Sequence, residues 1–502
     1  MARIAVMGAG MGAMAAAARL AVAGHRVVVY ERTATYGGAV RRFERDGFAF
    51  DTGPGLLPLP AVYRDLFLKT GKEPLEACVE LVQVDPSSRH VFADDTDVSL
   101  PNASRAGVVT ALTEALGAGA GERWGDFLVR AREAWDRTRR PLLEEPLWPN
   151  WQVLAEREPY PAVPHKRLLR TRRATTLAEV GAWELRDPRL TALLESHALA
   201  CGLDPRVAPA SAAVLPYMEH AFGTWYVRGG LRELARAVYE RCVARRVEFV
   251  FGAEVTGIVE KDGRAAGVEL RDGTVAEADT VVGSGPWRLS GLSRPELYAG
   301  DEVRPTAESL VAGKVVVCLA LRGAREAGAA HRTVVHTTDR EREFDLFGPG
   351  TPPERPTVWV ERPDDPRLRP DDAHESVVLT STVPSGAHHD WTASGAADDF
   401  ADRMVTAAER AVPGLRERVL WREVRTPAHT EEETGAQGGG IPAPSLAGSA
   451  GTLLHPANST RLPGLFAVGG WAHPGGGLPH AGMSGALVAG LVVEGPEFRG
   501  SR

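Results

Sequence analysis

The chain has 502 residues, more than a single hydrophobic core usually spans, so two or more domains are expected. Its 58 basic and 65 acidic residues give a net charge of −7 with no basic stripe, which excludes nucleic acid as a partner. Four scattered cysteines (Cys78, Cys201, Cys242, Cys318) form no Cys-x-x-Cys pair, and there is no apolar run of about eighteen residues, so a disulfide framework, a metal site and a membrane span are excluded and a cytoplasmic protein, at most peripheral to a membrane, is expected.

Residues 3–7 are a short apolar run, enough for one buried parallel strand. Gly8-Ala9-Gly10-Met11-Gly12-Ala13 follows and satisfies G-x-G-x-x-G/A; an alanine-rich helix is predicted over 11–23, with Gly24 as its stop. Residues 25–30 make a second strand, closed by Glu31 and followed by Arg32. Each part has a physical use. Gly8 permits the tight turn, Gly10 lets a pyrophosphate approach bare backbone, and Ala13 keeps the helix close to the sheet. At Met11 and Gly12 the helix start offers unpaired N–H groups and a positive dipole end to phosphate. Glu31 can accept both ribose hydroxyls and disfavours a 2′-phosphate. A dinucleotide other than NADP is expected.

Two more glycine clusters follow closely, Tyr36-Gly37-Gly38-Ala39-Val40-Arg41-Arg42 and Gly47-Phe48-Ala49-Phe50-Asp51-Thr52-Gly53-Pro54-Gly55, as loops passing near a flat ligand would require. Here the chain resembles the phytoene (carotenoid) desaturase group of FAD-dependent oxidoreductases, relatives of the amine oxidases. The resemblance implies FAD as cofactor, with Gly38, Ala39 and Val40 in the loop after the ribose acid and Gly53, Pro54 and Gly55 beside the isoalloxazine. Ala39 stands where many members carry a basic residue, which leaves a phosphate contact to Arg41 or Arg42.

Residues 60–130 alternate helical patterns with β-like pieces at 79–84 and 90–93, the start of a second domain inserted into the first. Residues 135–173 are rich in Pro, Trp and Arg and end in Lys166-Arg167-Leu168-Leu169-Arg170-Thr171-Arg172-Arg173. Such a run is either a positively charged surface resting on anionic lipid or a solvated helix face, and its few apolar residues favour the second. A helical stretch over 186–221 leads to Gly223-Thr224-Trp225-Tyr226-Val227-Arg228-Gly229-Gly230, which the resemblance marks as the return to the FAD domain, with Val227 for the usual proline. A helix over 231–243 and strands over 247–251 and 253–258 follow; the resemblance places Val255 against the adenine. Strands at 268–271 and 278–282 flank an Asp272-Gly273 turn, and Gly285 ends the FAD-domain strand. Beyond lie strands at 314–322 and 376–383 and an amphipathic helix over 396–412. Residues 431–449, with Gly438-Gly439-Gly440, read as a long flexible loop and a candidate active-site cover.

Residues 464–470 are a strand ending in a glycine pair, followed by Trp471-Ala472-His473-Pro474-Gly475-Gly476-Gly477-Leu478-Pro479-His480-Ala481-Gly482-Met483 and a helix to about 493. A second strand–glycine–helix unit is expected of a flavoprotein, where the helix start would favour negative charge on a reduced flavin. The stretch is similar to the T-H-P-G-x-G-x-P-G segment of the desaturases, departing at Ala472 and His480, and Gly470 stands where amine oxidases usually carry an acid. That likeness puts Gly470, Pro479, His480 and Met483 at the cofactor.

The expected fold is α/β: a Rossmann-type, glutathione-reductase-like FAD-binding domain (1–75, 222–290 and 455–502) with an inserted mixed-sheet and helical substrate domain (76–221 and 291–454). The implied chemistry is hydride removal from a substrate C–H to flavin N5, with loss of a proton from the neighbouring carbon. His480 is the first candidate base and His473 the second, with Glu219 and Tyr226 next. Three functions stay open: a desaturase of a carotenoid-like or other extended apolar molecule; an amine or amino-acid oxidase, or tailoring dehydrogenase, on a smaller polar substrate; and a non-redox flavin-dependent isomerase. The expected partner is a lipophilic small molecule, and the oligomeric state is left open.

Overall fold

The computed structural model describes residues 1–165, 170–284, 312–348 and 350–500. A five-stranded parallel sheet runs in the order Glu248–Phe251, Arg26–Glu31, Arg3–Met7, Thr280–Ser284, Leu465–Val468. Its central strands are apolar on both faces, as helices on both sides of a parallel sheet demand. The helix Met11–Val22 is rich in Ala and is buried along most of its length, between the helices Leu231–Ala244 and Leu478–Glu494. Small residues set that closeness: a Cβ on Gly12 would stand 2.8 Å from the Ala481 carbonyl oxygen and 2.9 Å from Gly469 Cα. The N-terminal and C-terminal glycine motifs therefore interlock.

The second large sheet has seven strands in the order Val419–Arg425, Ala312–Arg322, His374–Pro384, Val358–Glu361, Arg332–Val335, Ser88–Val91, Asp97–Leu100, antiparallel except where Arg332–Val335 meets Ser88–Val91. Alternation along these strands divides its residues between two faces. Val315, Val317, Leu319, Val360, Val377 and Leu379 point to the far face, under Phe400 and Met404 of the helix Ala396–Ala408. Register puts Lys314, Thr380, Trp359, Glu361, Arg332 and His90 together on the near face. One end of that face is covered by Phe48 and Phe50, which pack on Cys318, Val378 and Trp421. Above it stands an apolar helical cap containing Ala120–Arg139, Pro188–Ala200 and Val214–Phe222. A small sheet of Leu57–Pro58, Thr224–Val227 and Leu81–Gln83 ties cap and nucleotide unit together.

Several expected elements come out differently. The helix expected over 186–221 is two, Pro188–Ala200 and Val214–Phe222, because Gly202 at φ +72° and two prolines, Pro205 and Pro209, interrupt it. The Asp272-Gly273 turn joins Arg264–Leu270 to Val275–Glu277, while the residues expected to pair across it lie in the parallel sheet as Thr280–Ser284. Residues 431–449 are not a flexible loop. They begin in the helix Pro427–Thr434, and Gly438, Gly439 and Gly440 are buried. The Ile441 N–H donates to Ala312 O at 2.9 Å and the Ser445 N–H to Pro474 O at 2.9 Å. Here the glycines serve close backbone packing. Of the basic run, Lys166 to Leu169 lie outside the described residues; Arg172 stacks its guanidinium on the Trp183 ring.

Candidate active site

The helix Met11–Val22 starts at Gly10 with no side-chain cap and no acid in its first turn, and Met11, Gly12 and Ala13 are buried. A buried helix start leaves N–H groups without intrahelical acceptors, which fits an anion such as a pyrophosphate. The Glu31 carboxylate is buried and braced: Oε2 accepts from the Ala9 N–H at 2.7 Å, Oε1 from the Thr33 N–H and hydroxyl, each at 2.8 Å. Gly37 donates its N–H to Ala9 O at 2.8 Å, holding the Gly37-Gly38 loop against the glycine turn. Arg41 stiffens that loop by donating Nε to Gly38 O at 2.7 Å, whereas Arg42 turns to Glu44 at 2.7 Å. Burial draws the Arg41 guanidinium below its usual range, against the pull of Glu433 and Glu31. Arg32 donates to the Glu431 and Glu432 carbonyls at the end of the helix Pro427–Thr434, so it braces a helix end. The Ala253 N–H donates to Glu31 O at 2.9 Å, bringing the strand that carries Val255 beside Glu31. Ala39 and Val40 line the approach to Gly53, and Pro54 and Gly55 follow; Gly285 lies outside the described residues.

At the other end, Leu478–Glu494 starts at Gly477, again without a side-chain cap, and carries Pro479, His480 and Met483 in its first two turns. Asn458, which the sequence did not single out, locks this region: its Nδ2 donates to Ala467 O at 3.0 Å and to His473 O at 2.7 Å. Ser484 donates to the same His473 carbonyl at 2.9 Å and accepts the Gly469 N–H at 3.0 Å. The Gly469-Gly470 bend is thereby held beneath the first helix. His473 is fully buried; its Nε2–H donates to Glu145 O at 2.9 Å, and Nδ1 has no partner among the described residues. His480 is 8% exposed, its Nδ1 likewise unpartnered among the described residues. It lines a cavity walled by Trp135, Leu142, Val214, Leu215, Met218 and Leu446. Burial lowers both histidines to about 4, so both are neutral at pH 7, and the Nε2–H donation to Glu145 O leaves His473 Nδ1 as an acceptor.

The two other candidate bases are already engaged. Glu219 follows Met218 on the cap helix and accepts from Arg332, with His197 Nε2 3.9 Å away. Burial pushes its carboxyl up, but Arg332 and His197 outweigh that and hold it below the usual carboxylate range. An ionised, paired carboxylate is a poor proton acceptor. The Tyr226 hydroxyl donates to Asp365 at 2.8 Å, and Asp365 also takes the Gly229 N–H at 2.5 Å. Tyr226 thus fixes the loop returning to the nucleotide unit. Asp51 was also not singled out as a site residue, although it lies within the Phe-x-Phe-Asp segment. It accepts the Leu231 N–H at 2.7 Å and so caps a helix whose own N-cap, Gly230, has no side chain. Burial pushes that carboxyl up to about 7.

Two uncapped, buried helix starts packed together where Gly12 meets Ala481, one beside the buried Glu31 carboxylate and the other beside a pair of neutral histidines, fit a flavin-dependent oxidoreductase built on a dinucleotide fold. Gly8, Gly10, Gly12, Glu31 and Gly38 fit the nucleotide, and the Gly477 helix start fits the flavin. A family model for flavin containing amine oxidoreductases matches residues 14–493, and the chain belongs to that family. A flavin on a dinucleotide fold is FAD. The chain is 28% identical over 504 residues to a 4,4'-diapolycopene oxygenase of Methylomonas sp, covering 98% of each chain. It is 29% identical over 500 residues to a zeta-carotene-forming phytoene desaturase of Myxococcus xanthus, covering 97% of this chain and 93% of the relative. A solved oxidoreductase from Methanosarcina mazei has the same fold, with TM-score 0.65 at 18% identity over 97% of this chain and 99% of its own.

Proposed function

We propose that the protein is an FAD-dependent desaturase that introduces a C=C bond into a carotenoid-like, extended apolar substrate. The observation that carries this reading is the cavity at His480, where Trp135, Leu142, Leu143, Val214, Leu215, Met218 and Leu446 form an apolar wall beside Thr138, Arg139, Ser211 and Ser445. Burying a polyene there gains roughly 25 cal/mol per Å² of apolar surface removed from water. Two relatives that match the whole chain are named for carotenoid chemistry, which supports the same reading.

The flavin supplies the two-electron acceptor for hydride. The cap side chains align the chain and exclude water. One substrate carbon gives up hydride with its bonding pair, and its neighbour gives up a proton to His480 Nδ1, which burial keeps neutral. The electron pair left by that proton becomes the π bond. In this reading Gly8, Gly10, Met11, Gly12, Ala13, Glu31, Gly38, Val255 and Gly470 hold the cofactor, His473 orients the glycine bend, and residues 76–221 and 291–454 form the substrate domain. A substrate this apolar partitions into bilayers, so peripheral contact with a lipid surface belongs to the reading. Among the described residues no helix is long and apolar enough to cross a membrane.

The test is the visible spectrum of the FAD-loaded protein, followed anaerobically as a C40 polyene in liposomes and then a panel of amines is added. Loss of the oxidised-flavin bands with the polyene alone is the expected result. Bleaching by an amine with the polyene inert would overturn the reading.

A further inference from the structure

The cavity at His480 meets solvent at one place. Among the described residues that line it, every one is buried except Arg139, which is exposed and is also the only charged one. Deeper in, the hydroxyls of Thr138 and Ser211 donate to Ala134 O at 2.7 Å and Ala447 O at 2.6 Å, so they ask nothing polar of a substrate. Charge is met at the mouth. There the Arg139 guanidinium pairs with Glu144 at 3.2 Å, with the two side chains 50% and 39% exposed.

Residues five apart do not face each other on an α-helix, where partners are three or four apart. The cap helix Ala120–Arg139, however, runs straight into a π-turn, Arg140–Glu144. Pro141 has no N–H to continue the α-helical pattern, and the Glu145 N–H closes the wider turn on Arg140 O at 3.0 Å. That turn brings Glu144 to Arg139 and lays Leu142 and Leu143 along the cavity wall. Its base is fastened. The buried Glu145 carboxylate accepts from Arg140 and from Trp148 Nε1 at 2.8 Å, and the Glu145 carbonyl accepts from His473. The part of the mouth that moves most cheaply is therefore the long Arg139 side chain, held by an exposed ion pair of the weak kind.

The cavity is also short of space. It encloses about 390 Å³; at about 30 Å³ for a group the size of a water molecule it holds about thirteen such groups, roughly a third of a C40 polyene. When one end of such a chain lies at His480, the remainder passes the mouth.

We infer that Arg139 and Glu144 set the enzyme's response to substrate length: a polyene short enough for the closed cavity leaves their ion pair intact, and a longer one binds by parting it. This deepens the desaturase reading and rests on it, since it takes the substrate to be an extended apolar chain with one end at His480.

The test uses the FAD-loaded protein and two hydrocarbon polyenes, C10 and C40, in vesicles of the same phosphatidylcholine. Affinity is read from quenching of tryptophan fluorescence, since Trp135 lines the cavity, and reactivity from anaerobic flavin bleaching. Arg139→Met and Glu144→Gln should each tighten C40 binding about threefold, the worth of an exposed ion pair, and leave C10 binding unchanged. The double variant should gain no more than either single one, because the pair is lost only once. Raising salt from about 0.05 to 0.5 M should favour C40 over C10 in the unaltered protein and not in the variants. Unchanged or weaker C40 binding in the variants, or an equal gain for both lengths, overturns the inference; the desaturase reading still stands if C40 bleaches the flavin. If neither polyene binds the unaltered protein, both readings fall.

Discussion

The two faces of the seven-stranded sheet follow the same alternating rule and end with opposite chemistry. On the far face Val315, Val317, Leu319, Val377 and Leu379 are fully buried beneath Phe400 and Met404. On the near face Lys314, Glu361 and Arg332 share a side with Thr380 and Trp359 and are partly exposed. A strand cannot alter one face without the other keeping its register. One set of strands therefore carries a packed apolar face and a charged, partly open one, and substitutions on the two faces should fail in different ways.

The largest effect is expected on the far face. Leu319→Ala or Leu379→Ala should cost about 3 kcal/mol, read as a lower thermal midpoint, while Glu361→Gln or Thr380→Val should change stability by less than about 1 kcal/mol. Equal losses on both faces would break the comparison. Next, His480→Leu should slow flavin bleaching about a hundredfold with flavin still bound, the usual worth of a positioned base. Loss of the bound flavin instead would make His480 a cofactor residue.

The same variant sharpens a pH effect. His473 and His480 have folded pKa values of about 4, below the ordinary 6.5. Between those values the unfolded chain binds protons that the folded chain does not. Stability should therefore fall as pH drops from about 6.5 to 4, by at most about 1.4 kcal/mol per pH unit for each histidine. Asp51, raised to about 7, acts in the opposite direction between about 4 and 7: its contribution is lost as pH rises. Comparing denaturation midpoints of wild type and His480→Leu across this window cancels the Asp51 contribution and should show a shallower slope in the variant.

On the near face, Arg332→Met alone should cost about 2 kcal/mol by leaving the buried Glu219 charge with only His197 beside it, and adding Glu219→Leu should recover much of that loss. A double variant less stable than the single one would show that the pair is there for stability. The smallest effect is expected at Tyr226→Phe. Removing its hydrogen bond to Asp365 should lower stability by about 1 kcal/mol and leave the bleaching rate unchanged; a slower rate would return Tyr226 to the candidate bases.

How much could be read in the chain divides along the range of the interactions. The strand–turn–helix unit from Gly8 to Ala13, the strand ending in Glu31 and the run from Gly469 to His480 were legible because a tight turn and a glycine-led helix start are defined within a few residues. Glu219 read as a candidate base because its partner, Arg332, is 113 positions away. The glycines at 438–440 read as flexible because close packing and freedom call for the same residue, and only Ala312 and Pro474, far along the chain, show which applies.

By itself the amino-acid sequence determined the dinucleotide fold, the flavin class and the glycine-led helix starts, since each is specified by short-range backbone geometry. Only the tertiary structure decided which ionisable groups stay free and where they face. Arg332 and Glu361 become neighbours through the register of two strands, and His480 stays neutral because burial, with His455 and His473 nearby, disfavours its charge. Charge pairing and desolvation depend on what lies across space, and a one-dimensional pattern does not carry that distance.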